Sequence, residues 1–231
     1  MSQTSPSSGR NRLLAALSSA DLALLQPDLE SVSLELRQVL ETANEPITHS
    51  YFIDHGLASI VAGNGNQRRI EVGLVGFEGM TGLAVVLGDD RSPNENFMQV
   101  GGDGRRIRSD RLGAAMQESP SLQRALLNFA HDFMNQISST ALSNGTSSIE
   151  ERLARWLLMA HDRLEEDAIP LTHEFLSLML GVRRAGVTVA LNALERNGVI
   201  RLTRGQISVM DREGLKASAN GAYYEPDMTV A

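Results

Sequence analysis

The chain of 231 residues has no cysteine and a single lysine, Lys216. Without thiols it forms no disulfide, thiolate zinc site, iron–sulfur cluster or cysteine redox switch. With Lys216 as the only lysine, no phosphate loop with its lysine is present, and no nucleophile–base pair or paired-carboxylate motif takes its place. An enzyme is therefore not expected. Long apolar runs are also missing. None approaches the roughly 18 residues of a membrane span, and Leu13 to Leu17 is too short for the core of a signal peptide. A cytoplasmic protein with no membrane partner is expected.

Positive charge is in the minority, 21 Lys and Arg against 28 Asp and Glu. The net charge is -7, which argues against a nucleic-acid ligand until its distribution is considered. Between Gly181 and Arg204 the chain carries Arg183, Arg184, Arg196, Arg201 and Arg204 against Glu195 alone. The length suggests two domains, and the 42% apolar content is enough to give each a core.

Met1 to Gly9 is polar and reads as disordered, and residues 1–10 are set aside as an N-terminal extension. Asn11 to Leu25 favours one or two helices. From about Val32 to Ile107 short β-prone runs alternate with turn residues. Tyr51-Phe52-Ile53 precedes Asp54-His55-Gly56, Ser59-Ile60-Val61 precedes Gly63-Asn64-Gly65-Asn66, and Ile70 to Val75 and Phe97 to Val100 follow. Strands at this spacing predict a β-sandwich or roll over residues 11–118.

Ser119-Pro120 opens a long helix in which Leu122, Leu126, Phe129, Phe133 and Ile137 recur at three- or four-residue steps. Ala125, Ala130 and Met134 widen the apolar surface beyond one face. Such a helix either packs on a second copy of the chain or closes its own domain, and the pattern alone leaves both readings open. Asn144-Gly145 is expected to break it, with Thr146-Ser147 as a hinge, so residues 119–147 form a helix-and-hinge segment. Ser148 and Glu151 then match a capping box. The helix they open carries Leu153, Trp156, Leu157, Ala160 and Leu164 on one stripe.

Residues 148–217 contain the most specific motif, and 218–231 form a tail. Thr172 caps a short apolar helix, Gly181 ends it, and a second helix follows with Val187, Leu191 and Leu194 on its buried stripe. Val199-Ile200 and Ile207 to Val209 flank Arg204-Gly205 as a hairpin wing. This is a winged helix-turn-helix. Arg184, near the start of the second helix, can present its fork to guanine O6 and N7 in a major groove. Thr188 lies one turn on, and Ala185 and Val189 can touch a thymine methyl. Arg183 and Arg204 suit phosphates, and the amides near Thr172 and His173 can clamp another.

Three segments together closely resemble the Crp/Fnr family of bacterial transcription regulators: Ser148 to Arg163, Leu171 to Leu176, and Leu180 to Thr188. A fourth, Gly73 to Leu83, resembles the glycine-rich part of that family's cyclic-nucleotide-binding jelly roll. The resemblance implies an α+β chain with an N-terminal jelly roll, a long dimerisation helix and a C-terminal winged helix-turn-helix. It also implies a homodimer on a two-fold-symmetric double-stranded DNA site, with RNA polymerase as a further partner. Leu122, Leu126, Phe129, Phe133 and Ile137 would then belong to the dimer helix.

Arg184 falls where the family's main guanine-reading arginine sits. The cyclic-AMP-responsive members carry a glutamate and an arginine where this chain has Ala185 and Val189. The effector-pocket segment corresponds to Gly79, Met80, Thr81, Gly82 and Leu83. Met80 replaces the glutamate that meets the ribose, and Asn94 to Phe97 supplies no arginine for the cyclic phosphate, although Arg91-Ser92 lies nearby as a displaced candidate. A response to cyclic AMP is not expected, and no cofactor is implied. The five histidines, His49, His55, His131, His161 and His173, show no metal-ligand spacing. His49 and His55 are six apart rather than the His-x-His of a cupin-like site, so no metal is expected. A protein-binding scaffold that keeps this fold without regulated DNA contact is the alternative.

Overall fold

The computed structural model describes residues 10–63, 69–164 and 166–223. The segment expected to be disordered, the Asn64-Gly65-Asn66 turn and the end of the tail lie outside them. The chain divides into two compact units. Among the described residues, the first takes in the chain up to Ala58 together with Val75–Phe133, and the second takes in Ser59–Leu74 with the chain from Met134 on.

The first unit begins with helices α1 (Arg12–Ala15) and α2 (Ser19–Leu25) and a 3-10 turn at Gln26–Asp28. Strands β1 (Glu30–Leu34), β2 (Val39–Glu41), β3 (His49–Gly63), β4 (Arg69–Val75) and β5 (Glu95–Arg108) form one sheet in the order β1-β5-β3-β4, with β2 also paired to β5; the end of β3 from Ser59 and β4 up to Leu74 are counted with the second unit. β1 and β2 both run antiparallel to β5. Two long strands thus replace several of the short ones expected.

Asp54-His55-Gly56 does not turn the chain, because Gly56 takes up a positive φ of 96° inside β3 and the strand continues past it. Gly102 makes this possible from the facing strand. A Cβ there would lie 2.0 Å from the His55 carbonyl oxygen, an approach only glycine permits. Asn11 pins α1 to the sheet: its Nδ2 donates to the carbonyls of Ile53 (2.9 Å) and Gly79 (2.7 Å).

Helix α3 (Leu83–Val86), α4 (Ser109–Glu118) and α5 (Pro120–Thr146) follow. Leu122, Leu126 and Ala130 of α5 pack into the core with Leu14, Phe52, Met80 and Ile107, and Phe129 packs against that core. Phe133 is buried and Ile137 half-buried. The stripe picked out by the apolar repeat is therefore covered by the chain itself. The large apolar residues that α5 leaves exposed are Leu127, Met134 and Leu142.

The expected break at Asn144-Gly145 is absent too. α5 runs through both to Thr146, and the hydroxyls of Thr140 and Thr146 donate to the carbonyls of Gln136 and Leu142 one turn back. A single exposed glycine costs a long helix only about 1 kcal/mol, too little to end it. The chain leaves the helical conformation at Ser147 and Ser148 instead.

The second unit is built around α6 (Ile149–His161). The capping box forms as expected: the Glu151 amide donates to Ser148 Oγ, and the Ser148 amide donates to Glu151 Oε2 at 2.7 Å. After α6 come β6 (Ala168–Ile169), α7 (His173–Leu180), α8 (Arg184–Arg196), β7 (Ile200–Thr203), β8 (Gln206–Val209) and α9 (Arg212–Ser218). The wing is a three-stranded sheet, β6-β8-β7, one strand more than the hairpin expected.

One buried carboxyl joins β4 to α6. Glu71 Oε1 accepts from the Trp156 indole N–H at 2.6 Å, and Glu71 Oε2 lies 2.6 Å from Ser59 Oγ. Burial pushes the Glu71 carboxyl up from 4.5 to about 8, against the opposing pull of these hydrogen bonds and of Arg155 and Arg163. The native state therefore holds a proton that the unfolded chain releases. The contribution of that proton to stability is complete below about 4.5 and gone once the pH has risen through about 8. Thermal melts across this window are expected to show a falling midpoint, and Glu71→Gln should flatten the fall. An unchanged slope in the variant would assign the pH dependence to other groups.

Candidate nucleic-acid interface

Thr172 caps α7 by accepting from the Phe175 amide at 3.3 Å, and the helix ends on Gly181 in the left-handed region at φ 61°. The Val182 amide donates back to the Ser177 carbonyl, and the Arg152 guanidinium of α6 donates to the carbonyl of Leu180. The turn into α8 is thus fixed by backbone and by the scaffold helix. α8 starts at Arg184 with Arg183 as its N-cap residue, and no side chain caps it. Within its first turn the Gly186 amide donates to the Arg183 carbonyl at 2.9 Å, and no side chain serves the amides before it.

α8 has two faces of different character. Val187, Leu191 and Leu194 are fully buried, and Ala190 nearly so. On the other side Arg183, Arg184 and Ala185 are exposed, and Val189 is 69% exposed. Burying an aliphatic side chain stabilises by about 1.5–3 kcal/mol, so a valine left this open on a helix that buries its other valine needs a partner outside the chain to be covered.

Thr188 sits between the two faces. Its hydroxyl donates to the Arg184 carbonyl at 3.1 Å, which leaves a lone pair for His173 Nδ1, also at 3.1 Å. The imidazole N–H therefore donates to Thr188. His173 and Thr188, both expected to meet DNA, also tie the first helix of the motif to the second.

The wing tip is a two-residue turn, Arg204-Gly205, with Gly205 at φ 74° and Arg204 exposed. Register pairs Thr203 with Gln206 and Arg201 with Ser208. Glu195, the one acidic side chain of this segment, accepts from the Leu202 amide at 2.8 Å. That bond anchors the wing to the C-terminal end of α8. The residues expected at the interface thus divide. Arg183, Arg184, Ala185, Val189 and Arg204 are exposed, as is Thr172, whose side chain caps α7, while His173 and Thr188 are half-buried and bonded to each other. The Glu195 anchor and the Arg152 bond were not anticipated, because neither pair has a spacing that periodicity reveals.

The segment resembling an effector pocket is internally occupied. Met80 is fully buried and bridges Phe52, and the Thr81 amide donates to the Tyr51 carbonyl. Gly82, at φ 82°, opens α3, and its amide donates to Glu41 Oε1 at 2.7 Å. Glu41 also accepts from Asn96 Nδ2, and burial pushes its carboxyl above the usual range. A Cβ on Gly82 would lie 2.2 Å from Ser50 Oγ, and one on Gly79 would lie 2.1 Å from the Phe129 ring. Leu83 is half-buried as the first residue of α3. Arg91 lies exposed, its guanidinium donating to the Asn44 carbonyl beside Asp90.

Among the described residues no group of three His, Asp or Glu side chains is placed to hold a metal, and no helix is long and apolar enough to cross a membrane.

Residues 151–218 match the model of the Crp-like helix-turn-helix domain. No curated protein is similar enough in sequence to match. Solved structures match over most of the chain. A protein described as a transcriptional regulator of the Crp/Fnr family from Eubacterium rectale shares 17% identity at a TM-score of 0.72, over 92% of this chain and 99% of its own. FixK2 from Bradyrhizobium japonicum gives 17% and 0.72 over 86% and 98%. The c-di-GMP-responsive global regulator CLP of Xanthomonas campestris gives 14% and 0.68 over 83% and 99%.

Two substitutions should separate building from reading in this motif. Thr172→Ala removes the α7 cap and should cost about 1 kcal/mol in chemical denaturation. Arg184→Ala, at an open position, should change stability by less than about 0.5 kcal/mol. Comparable losses in the two variants would place Arg184 in the packing of the motif.

Proposed function

With residues 151–218 forming a Crp-like helix-turn-helix domain in a chain that has the fold of the Crp/Fnr regulators, we propose that the protein is a sequence-specific DNA-binding transcription regulator. The observation that carries this reading is the open face of α8. Arg184 stands at its first turn with Arg183, Ala185 and Val189, and the opposite face is buried. α8 enters the major groove, Arg184 reads a guanine, and Ala185 and Val189 favour thymine methyls over hydrogen-bonded bases. Arg183, Arg204 and the amides near Thr172 and His173 hold phosphates. This arrangement concentrates cationic groups on one surface of an acidic chain and needs no overall positive charge.

The protein acts as a homodimer whose two α8 helices meet half-sites about 34 Å apart, one turn of the duplex. Leu127 and Met134 support this, since they are exposed on α5 and seven residues apart, the repeat of a helix–helix seam. That seam replaces the stripe first assigned to it, which the chain's own core consumes. RNA polymerase is the further partner of such a regulator, and the cytoplasm its compartment. The first unit is a sensory domain that does not respond to cyclic AMP. The reason is local: the Glu41 carboxyl already sits on the Gly82 amide, where a phosphate would have to compete with it.

DNA footprinting on the upstream region of the protein's own gene tests the reading. Arg184→Ala should lower sequence-specific affinity by roughly ten- to a hundred-fold. Met134→Glu should shift the sedimentation mass from dimer to monomer. Wild-type binding that is weak, independent of sequence and erased by salt would favour a scaffold instead. Calorimetry with cyclic AMP should show no heat of binding, and a low-micromolar isotherm would overturn the assignment of the first unit.

A further inference from the structure

Two buried donors in the second unit lack partners, and they line the same opening. Ser143 of α5 is 4% exposed, and its Oγ has no hydrogen-bond partner. Arg152 of α6 donates through Nη2 to the Leu180 carbonyl, while its buried Nε has none. Both residues line an opening of about 20 Å3, with Glu71, Thr140, Arg155 and Trp156 among its walls. A buried donor left unpaired is destabilising, so two at one opening point to an occupant that accepts from both.

Charge decides what kind of occupant. The charged groups lining the opening are Arg152 and Arg155 from α6 and Glu71 from β4, while α5 and α7 contribute none. Burial pushes Arg155 down to about 10 and Glu71 up to about 8, so at neutral pH the arginines are cationic and the carboxyl is neutral. Arg163, in the turn just after α6, adds to the positive field felt by both. Glu71 is also committed to Trp156 and Ser59. The opening thus has cations on its walls and no formal negative charge. A water would satisfy the donors but leave the buried charge uncompensated. The opening holds about one small occupant, which suits a monatomic anion better than sulfate, phosphate or a nucleotide.

We propose that this opening is a binding site for a single halide-sized anion, chloride in ordinary solution, held by Arg152 Nε and Ser143 Oγ in the field of Arg155. Occupied, it ties the end of α5 to α6 and, through the bond from Arg152 to Leu180, to the turn of the helix-turn-helix motif. The site is independent of whether the protein binds DNA, and its test uses no DNA.

Trp156 is the only tryptophan in the chain and lines the opening, so its emission reports on the site. The full-length protein is titrated with bromide at constant ionic strength and neutral pH, with gluconate as the balancing anion. A saturable change in emission is expected, together with a higher melting midpoint in chloride than in gluconate. Ser143→Ala removes an unpartnered hydroxyl, leaves the fold intact and should weaken the apparent affinity at least several-fold. Arg152→Gln should abolish saturation. Above about pH 9 ionised Glu71 repels the anion, so the saturable phase should fade in the wild type and persist in Glu71→Gln. A strictly linear response to bromide, or the same saturation curve in wild type and Ser143→Ala, would overturn the proposal and leave the opening to water. Should Arg152→Gln fail to fold, the Ser143 and Glu71 variants still decide.

Discussion

The second unit depends on one constraint, a scaffold helix with almost no side left for solvent. Every residue of α6 from Leu153 to Ala160 is buried. A helix apolar around most of its circumference is stable only when other elements cover it, and α7, α8 and α9 all pack on α6. Trp156 completes the enclosure by donating its indole proton to Glu71. The arginines on this helix and just past its end are accommodated by specific bonds: Arg155 to Thr140, Arg152 to the Leu180 carbonyl and, in the turn after the helix, Arg163 to the Met159 carbonyl. The direction of α8, and with it the direction of Arg184, follows from how α6 is clothed.

Local chemistry made much of this legible in advance. The capping box at Ser148 and Glu151, the Thr172 cap, the left-handed Gly181 and the Arg204-Gly205 turn all form as their residue types dictate, because each depends on a few neighbouring residues. The buried stripe of α8 was equally readable from its spacing. Which chain buries a given face was not legible. In α5 the apolar repeat announced a buried face and carried no information about which chain would bury it. Leu122 and Leu126 are covered by the first unit, and the open positions, Leu127 and Met134, are too few to dominate the pattern. Asn144-Gly145 was misread for a related reason. Weak propensity at two positions does not outweigh a helix of 27 residues.

The strands show a different limit. Asp54-His55-Gly56 has the composition of a turn, yet its conformation is decided by Gly102 on β5, 46 positions further along the chain. Glycine permits a reversal and a close approach equally well, and only the facing strand selects between them. Long-range polar pairs were invisible for the same reason. Glu41 with the Gly82 amide, Glu71 with Trp156 and Glu195 with the Leu202 amide have no periodicity to betray them, and each decides the electrostatics of its neighbourhood.

The wing shows how finely such a surface can be set by length alone. Strands β7 and β8 each have four residues and meet in a turn with nothing to spare. Alternate strand residues point to opposite faces, so parity governs where Arg204 stands. Lengthening both strands by two residues would carry the tip outward by roughly 7 Å and preserve its face, whereas an extension by one would turn the arginine to the opposite face. The reach of the wing is quantised, in steps of two residues per strand.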